Sequence, residues 1–154
     1  IRAIEKIGYR ERSIKGIFSK TDQPKGNKPV MYSRGDERFD LFVKDVFGFK
    51  LDFDEETPLR HDFIGKKEFL VYVLPEHMLV LLKAITNREK DHEDIEAIIK
   101  NKPDLDWKQM IDKANAQRQD NEWILIDLEE TLQKLKKKVF IKKTIFDRIY
   151  KAME

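Results

Sequence analysis

Residues 66–99 have the sequence KKEFLVYVLPEHMLVLLKAITNREKDHEDIEAII, and this stretch decides the fold class. The run KKEFLVYVL (66–74) is rich in β-branched and aromatic residues, which is typical of a buried strand. Pro75 then opens a helix at its first position, where the missing N–H does no harm. Apolar spacing predicts two helices, over 75–86 and 91–100, with inward residues Leu79, Leu82 and Ile85 or their neighbours in the first and Ile95, Ile98 and Ile99 in the second. A strand followed by two helices predicts an α+β protein.

Charged residues of both signs concentrate where the two predicted helices meet. They are Lys83, Arg88, Lys90, Asp91 and Asp94. A lysine in the last turn of a helix and an aspartate in the first turn both complement the helix dipole, so capping accounts for single members. Capping does not account for the whole set. Cations placed together are also what a phosphate site requires, and both explanations stay open at this point.

Upstream of residue 66, apolar and polar residues alternate in two segments, which is the pattern of a strand and not of a helix. The segments PVMYS (29–33) and RFDLFVK (38–44) flank the turn residues RGDE, which predicts a β-hairpin. Phe39 shares one strand face with Leu41 and Val43, whereas Asp40 points to the other face. A carboxylate on a covered face needs a partner, so Asp40 is either a paired functional group or an exposed aspartate of an edge strand.

Downstream, the chain is helical to its end. Asp106 is predicted to cap a helix whose apolar face is Trp107, Met110, Ile111 and Ala114. Two further apolar seams are Leu125, Leu128, Leu132, Leu135 and Val139, and then Ile141, Ile145, Phe146, Ile149 and Met153. With the basic run KLKKK (134–138), these helices suit an intramolecular hairpin, a homodimer surface or a basic platform for RNA, and the hairpin is the commonest of these outcomes.

Composition restricts the classes of function. Basic and acidic residues number 31 and 29, so a basic nucleic-acid-binding surface would have to be local, and the lack of cysteine excludes thiol chemistry and cysteine-ligated zinc. Apolar runs such as FLVYVL fall short of the roughly 20 residues that cross a bilayer. We therefore expect a soluble cytoplasmic protein without a membrane partner, and the abundance of Lys, Glu and Ile leans towards a thermophile. Because the chain begins at Ile1 rather than methionine, we expect it to be a fragment.

The order of these features resembles the nucleotidyltransferase superfamily, in particular a small uncharacterised prokaryotic group related to abortive-infection toxins. The resemblance covers roughly residues 1–119, and its most specific part is the pattern KxxxxRxKDxxD at 83–94. It implies a small mixed sheet flanked by helices, with a partial α/β core over 1–104 and a helical C-terminal extension over 105–154. It also implies transfer of a nucleotide from an NTP to a hydroxyl of RNA, a protein or a small molecule, with toxin–antitoxin membership an open question.

The same resemblance assigns roles to individual residues. Asp40 matches the third carboxylate that binds Mg²⁺ in that family, where the metals neutralise the triphosphate and help to deprotonate the attacking hydroxyl. Lys83 matches the lysine that holds phosphate, and Asp94, or alternatively Asp91, matches the acidic residue of the following helix. Arg88 and Lys90 would extend the anion site. Asp40 and Lys83 are thus the expected catalytic residues.

The sequence departs from the family pattern in one respect. No Gly-Ser turn followed by DxD precedes Asp40, so we expect that motif to lie upstream of Ile1. Two alternatives follow. A relative without DxD would be a non-catalytic module that binds RNA or a protein partner. A metal-dependent nuclease built on Asp40, Asp52 and Asp54 ranks last, because no lysine follows Asp40 at the spacing that such enzymes use.

Overall fold

The computed structural model describes residues 2–12, 29–42, 45–51, 59–64 and 66–154. The chain divides into two compact units, Ile1–Leu51 and Asp52–Glu154. The described elements include five strands and six helices, which makes this an α+β protein. Within the described ranges, no helix combines the length and the apolar character that a membrane span requires.

The described part of the first unit contains one short helix and a three-stranded antiparallel sheet. Helix α1 (Arg2–Lys6) is followed by strands β1 (Arg10–Arg12), β2 (Val30–Arg34) and β3 (Glu37–Leu41), in the order β1-β2-β3. The predicted hairpin is β2–β3, in which Arg34 pairs with Glu37 across Gly35 and Asp36. Gly35 has a φ of 59°, a value that residues with a Cβ rarely adopt, and it occupies the first central position of the turn.

Aromatic side chains form the inner face of this sheet. Tyr32 is fully buried, and its ring stacks on that of Phe39 with centroids 5.3 Å apart. Tyr9 meets Phe39 edge to face at 5.1 Å. Phe39 therefore lies on the covered face of β3, as the alternating pattern predicted, and its neighbour Asp40 projects from the opposite face.

The second unit begins with a two-stranded antiparallel sheet. Strand β4 (Leu59–Ile64) pairs with β5 (Lys67–Tyr72), and Ile64 is the partner of Lys67. Strand β5 was predicted and β4 was not. All described strand pairings are antiparallel and form two separate sheets, whereas one mixed sheet was expected. Antiparallel neighbours need only a short connection, and both hairpins have one.

Five helices complete this unit: α2 (Glu76–Thr86), α3 (Glu89–Asn101), α4 (Trp107–Ala116), α5 (Ile124–Leu135) and α6 (Lys143–Met153). Helix α2 contacts α3, α4 and α5, and α6 contacts α4 and α5. Leu81 of α2, Ile95 of α3 and Leu128 of α5 are fully buried. The predicted boundary at 104 falls inside this unit and stays a prediction.

The buried face of α2 agrees with the prediction at Leu82 and otherwise consists of neighbours of Leu79 and Ile85. Leu79 is 36% exposed and Ile85 is partly exposed, whereas Met78, Leu81 and Leu82 are buried. Five consecutive apolar residues, MLVLL (78–82), cover every side of the helix. The periodicity therefore could not select the face that the other helices cover.

The C-terminal helices follow the sequence pattern closely. Asp106 accepts a hydrogen bond from the Gln109 N–H at 2.8 Å and thereby caps α4, as predicted. The leucine seam of α5 is buried, and so are the residues Ile145, Phe146 and Ile149 of α6. Helices α5 and α6 pack against each other within one chain, which agrees with the intramolecular hairpin.

Candidate functional site

A tight turn brings the end of α2 beside the start of α3. Asn87 has a φ of 48°, in the left-handed region that asparagine tolerates better than most residues, and its N–H donates to the Ala84 carbonyl at 3.1 Å. Arg88 is extended and serves as the N-cap position of α3. The chain thus reverses within these residues, so side chains from the last turn of α2 reach the first turns of α3.

Five side chains at this turn form one hydrogen-bonded network, which we call the charged corner: Lys83, Thr86, Arg88, Asp91 and Asp94. The Lys83 ammonium donates to Asp94 Oδ2 at 2.6 Å and to Asp91 Oδ1 at 3.2 Å. Arg88 donates to both oxygens of Asp91, from Nε at 2.6 Å and from Nη2 at 3.2 Å. The network therefore joins two cations to two carboxylates and is neutral overall.

Thr86 is the member that the sequence did not assign. Its hydroxyl lies within hydrogen-bonding reach of Asp91 Oδ2 and also 2.8 Å from the Lys83 carbonyl oxygen. It has a single proton and donates it to one of these acceptors at a time. A threonine directly before an asparagine at a helix end was the available signal, since both residues hydrogen-bond to nearby backbone.

Asp91 is the buried centre of the charged corner, with only 2% of its surface exposed. Burial on its own raises the pKa of this carboxyl, but hydrogen bonds from Arg88, Thr86 and Lys83 outweigh burial and hold the pKa below its ordinary value. Burial likewise opposes the charge of Lys83, but hydrogen bonds to Asp94 and Asp91 prevail and raise the pKa of the ammonium. Both groups are therefore charged across the neutral pH range.

Both cations of the charged corner and the carboxylate of Asp94 are partly accessible to solvent, with the Asp94 side chain 46% exposed. The Arg88 side chain is 66% exposed and that of Lys83 is 22% exposed. Lys90 is also exposed, and it makes no ion pair with any of the described residues. Helix α5 reaches the same turn, because Lys134 donates to the Asn87 side-chain oxygen at 3.0 Å.

Asp40, the other expected catalytic residue, lies in the first unit on β3, which has β2 as its only described strand partner. Its carboxylate accepts two hydrogen bonds from Arg38, at 3.2 Å from Nε and 3.0 Å from Nη2. Among the described side chains, no group of three or more His, Asp or Glu is placed to hold a metal ion. Asp40 and its described neighbours do not fit a magnesium site by themselves, and the expected meeting of Asp40 with Lys83 stays a prediction.

Other residues that could carry chemistry either lie outside the described ranges or are placed as follows. Asp52 and Asp54, on which the nuclease alternative depends, lie outside the described residues. His92 Nε2 lies 3.1 Å from the side-chain oxygen of Asn87. His77 is buried in α2.

No protein-family model, curated protein or solved structure matches this chain.

Proposed function

We propose that this chain is a nucleotidyltransferase-type protein in which the charged corner binds the phosphates of an NTP. The acceptor would be a hydroxyl of RNA, a protein or a small molecule. The observation that carries the proposal is that Lys83, Arg88, Asp91 and Asp94, the residues of the resembling pattern, lie in one hydrogen-bonded network. These residues, which are close in sequence, are also in contact in the structure, at the turn between α2 and α3.

The arrangement of charges suits this role. Asp91 holds Arg88 through both of its oxygens, so the guanidinium is oriented before a ligand arrives. The Asp94 side chain is 46% exposed, and a phosphate oxygen can replace it as the acceptor for Lys83 at little cost. Lys90 adds a positive charge that no described carboxylate neutralises.

Mg²⁺ enters the proposal through the resemblance alone, with Asp40 as one ligand. The metal would supply neutralisation of the triphosphate and activation of the acceptor hydroxyl. We derive no step of the transfer from it, because the described carboxylates beside Asp40 do not complete a site. A cytoplasmic location and a homodimer through α5 and α6 also remain proposals.

Nucleotide binding is tested first, by titrating each NTP with and without Mg²⁺ into the full chain and measuring heat. Lys90→Ala is the most informative variant, because this exposed side chain makes no described ion pair and its loss leaves the fold intact. We expect the dissociation constant to rise about tenfold, while Lys151→Ala, an exposed lysine of α6, changes it less than about twofold. Absence of heat with every NTP contradicts phosphate binding at the charged corner, and equal affinity of the two variants contradicts a contribution of Lys90 to that binding.

Transfer itself is tested with labelled NTPs, Mg²⁺ and total RNA or protein as acceptor. Asp40→Asn and Lys83→Ala are each expected to abolish incorporation, with circular dichroism confirming that the variants fold. Incorporation that is equal in wild type and both variants removes these residues from the mechanism.

The second candidate is a non-catalytic binding module of the same fold. It is favoured by the neutrality of the charged corner, in which both Lys83 and Arg88 already have carboxylate partners. This candidate predicts RNA or protein binding without label incorporation. If the ligand is RNA, affinity falls steeply as salt rises.

A further inference from the structure

The second unit contains a groove that the proposed function does not use. It lies between the α3–α4 connection, the start of α4, the α5–α6 connection and α6, and its volume is about 1010 Å³. Small-molecule sites occupy roughly 300–1,000 Å³, so this groove is large enough for a segment of a polymer. No residue of the charged corner lines it.

The floor of the groove is aliphatic. Leu105, Ile111, Val139 and Ile145 line it, and each is less than a tenth exposed. Phe140 stands at its margin with 85% of its surface exposed, the most exposed large apolar side chain among the described residues. An apolar surface of this kind at the rim of a concave site is typical of a place where a partner docks.

The rim of the groove is basic. Six basic side chains line it and only two acidic ones, Asp104 and Asp106, although the whole chain carries a net charge of only +2. One of these acids, Asp106, is already engaged as the cap of α4. Lys100 and Lys138 both pair with Glu96, so the excess positive charge rests mainly on Lys142 and Arg148, and it favours an acidic ligand.

The basic side chains can turn towards a ligand. Lys142 and Arg148 have no ion-pair partner among the described residues, and both line the groove. Lys102 and Lys108 pair with Glu76 and Asp112, but all four side chains are about half exposed or more. Exposed pairs of this kind contribute little to stability, so an incoming carboxylate can exchange with them.

We propose that this groove binds an acidic amphipathic helix of a protein partner, with aliphatic side chains on the floor and carboxylates on the basic rim. A helix that presents apolar residues at i, i+3, i+4 and i+7 matches a concave aliphatic floor. Single-stranded RNA could stack bases on Trp107 or Phe140, but it has no apolar side chains to cover the four buried aliphatic residues of the floor, so it fits less well than an amphipathic helix. A membrane surface is flat and leaves a concave floor unfilled.

The chain provides its own reporter for a binding experiment. It has two tryptophans, of which Trp107 lines the groove and Trp123 does not. In the Trp123→Phe chain, fluorescence excited at a wavelength that the four tyrosines do not absorb therefore reports on Trp107 alone. The probe is a peptide of about sixteen residues with leucines at helical spacing and glutamates elsewhere, a length of roughly 24 Å as a helix. We expect a saturable blue shift at micromolar concentrations.

Charge-reversal variants locate the binding site. Lys142→Glu with Arg148→Glu is expected to raise the dissociation constant at least tenfold, and Phe140→Ala at least threefold. Lys151→Glu reverses an exposed charge of α6 outside the groove, and it is expected to change the dissociation constant less than twofold. Circular dichroism of each variant shows that the fold is retained.

Two controls decide the chemistry of the ligand. A scrambled peptide of the same composition, with its leucines spread around the helix, is expected to bind at least tenfold more weakly. A labelled oligouridine of equal charge is expected to bind more weakly than the amphipathic peptide. The proposal is overturned if the peptide gives no saturable shift, if the scrambled peptide or the RNA binds as tightly, or if Lys151→Glu weakens binding as much as the groove variants.

Discussion

Asp91 holds the charged corner together, because one nearly buried carboxylate accepts hydrogen bonds from Lys83 and Arg88 and lies against Thr86. Replacing it by alanine leaves the part-buried Lys83 with Asp94 as its remaining described carboxylate. Removing one member of a buried ion pair costs roughly 3 to 5 kcal/mol. Since Arg88 is largely exposed, we expect Asp91→Ala to lower the free energy of unfolding by about 2 to 3 kcal/mol in urea denaturation.

Asp94→Ala is the matched control for this prediction. The Asp94 side chain is 46% exposed, so we expect its removal to cost less than about 1 kcal/mol. Equal losses in the two variants would show that burial of Asp91 does not set the strength of the network.

The lowered pKa of Asp91 makes the stability of the folded chain depend on pH. The pKa of an aspartate in an unfolded chain is about 3.9, and the pKa of Asp91 in the folded protein lies below that value. The stabilising contribution is therefore complete above the unfolded pKa and is lost as the pH falls from about 4 through the folded pKa. In acid denaturation, Asp91→Asn is expected to show a shallower loss of stability below pH 4 than wild type, relative to its own stability at pH 7. Parallel curves would contradict the assignment.

At the scale of elements, the start of α4 depends on one local hydrogen bond. Asp106→Ala removes the acceptor of the Gln109 N–H, and loss of such a cap costs about 1 kcal/mol. Asp104→Ala, an exposed neighbour that does not cap α4, is expected to stay within about 0.5 kcal/mol of wild type. Thermal denaturation of the two variants compares them directly, and equal melting temperatures would rule out a stabilising cap.

Helix α2 offers a matched pair of leucines for testing which of its faces is buried. Leu81 is fully buried where α2 meets other helices, and Leu79, two residues away, is 36% exposed. We expect Leu81→Ala to cost about 2 to 5 kcal/mol because it leaves a cavity, and Leu79→Ala to cost less than about 1 kcal/mol. Urea denaturation would contradict the buried face of α2 if the order of the two losses were reversed.

At the scale of the whole molecule, the second unit carries its own core. The buried side chains of α2 to α6, including Ile95, Leu128 and Ile149, belong to residues 52–154. We therefore expect residues 52–154, expressed alone, to retain helical circular dichroism and to unfold cooperatively on heating. A coil spectrum, or a melt without a transition, would show that this unit needs the rest of the chain.

Much of the local structure of this protein could be predicted from short stretches of its sequence. The cap at Asp106, the hairpin across Gly35 and the seams of α5 and α6 all follow from backbone preference or from apolar period, which act over a few residues. The sequence also placed the charges of 83–94 at a junction between helices. It could not say which atoms meet there.

Only the tertiary structure decided the rest. Asp94 lies 11 residues from Lys83, and the two meet because the left-handed Asn87 turns α3 back along the end of α2. Leu79 is exposed because other helices cover the opposite side of an evenly apolar α2, and the groove exists because the two connections that flank α4 and α6 come together. Sequence alone determined the β2–β3 hairpin, β5, the helices α2 to α6 and their charges, because those depend on neighbours along the chain, whereas β4 was not predicted. Burial and contact depend on residues distant in sequence, so packing determined them.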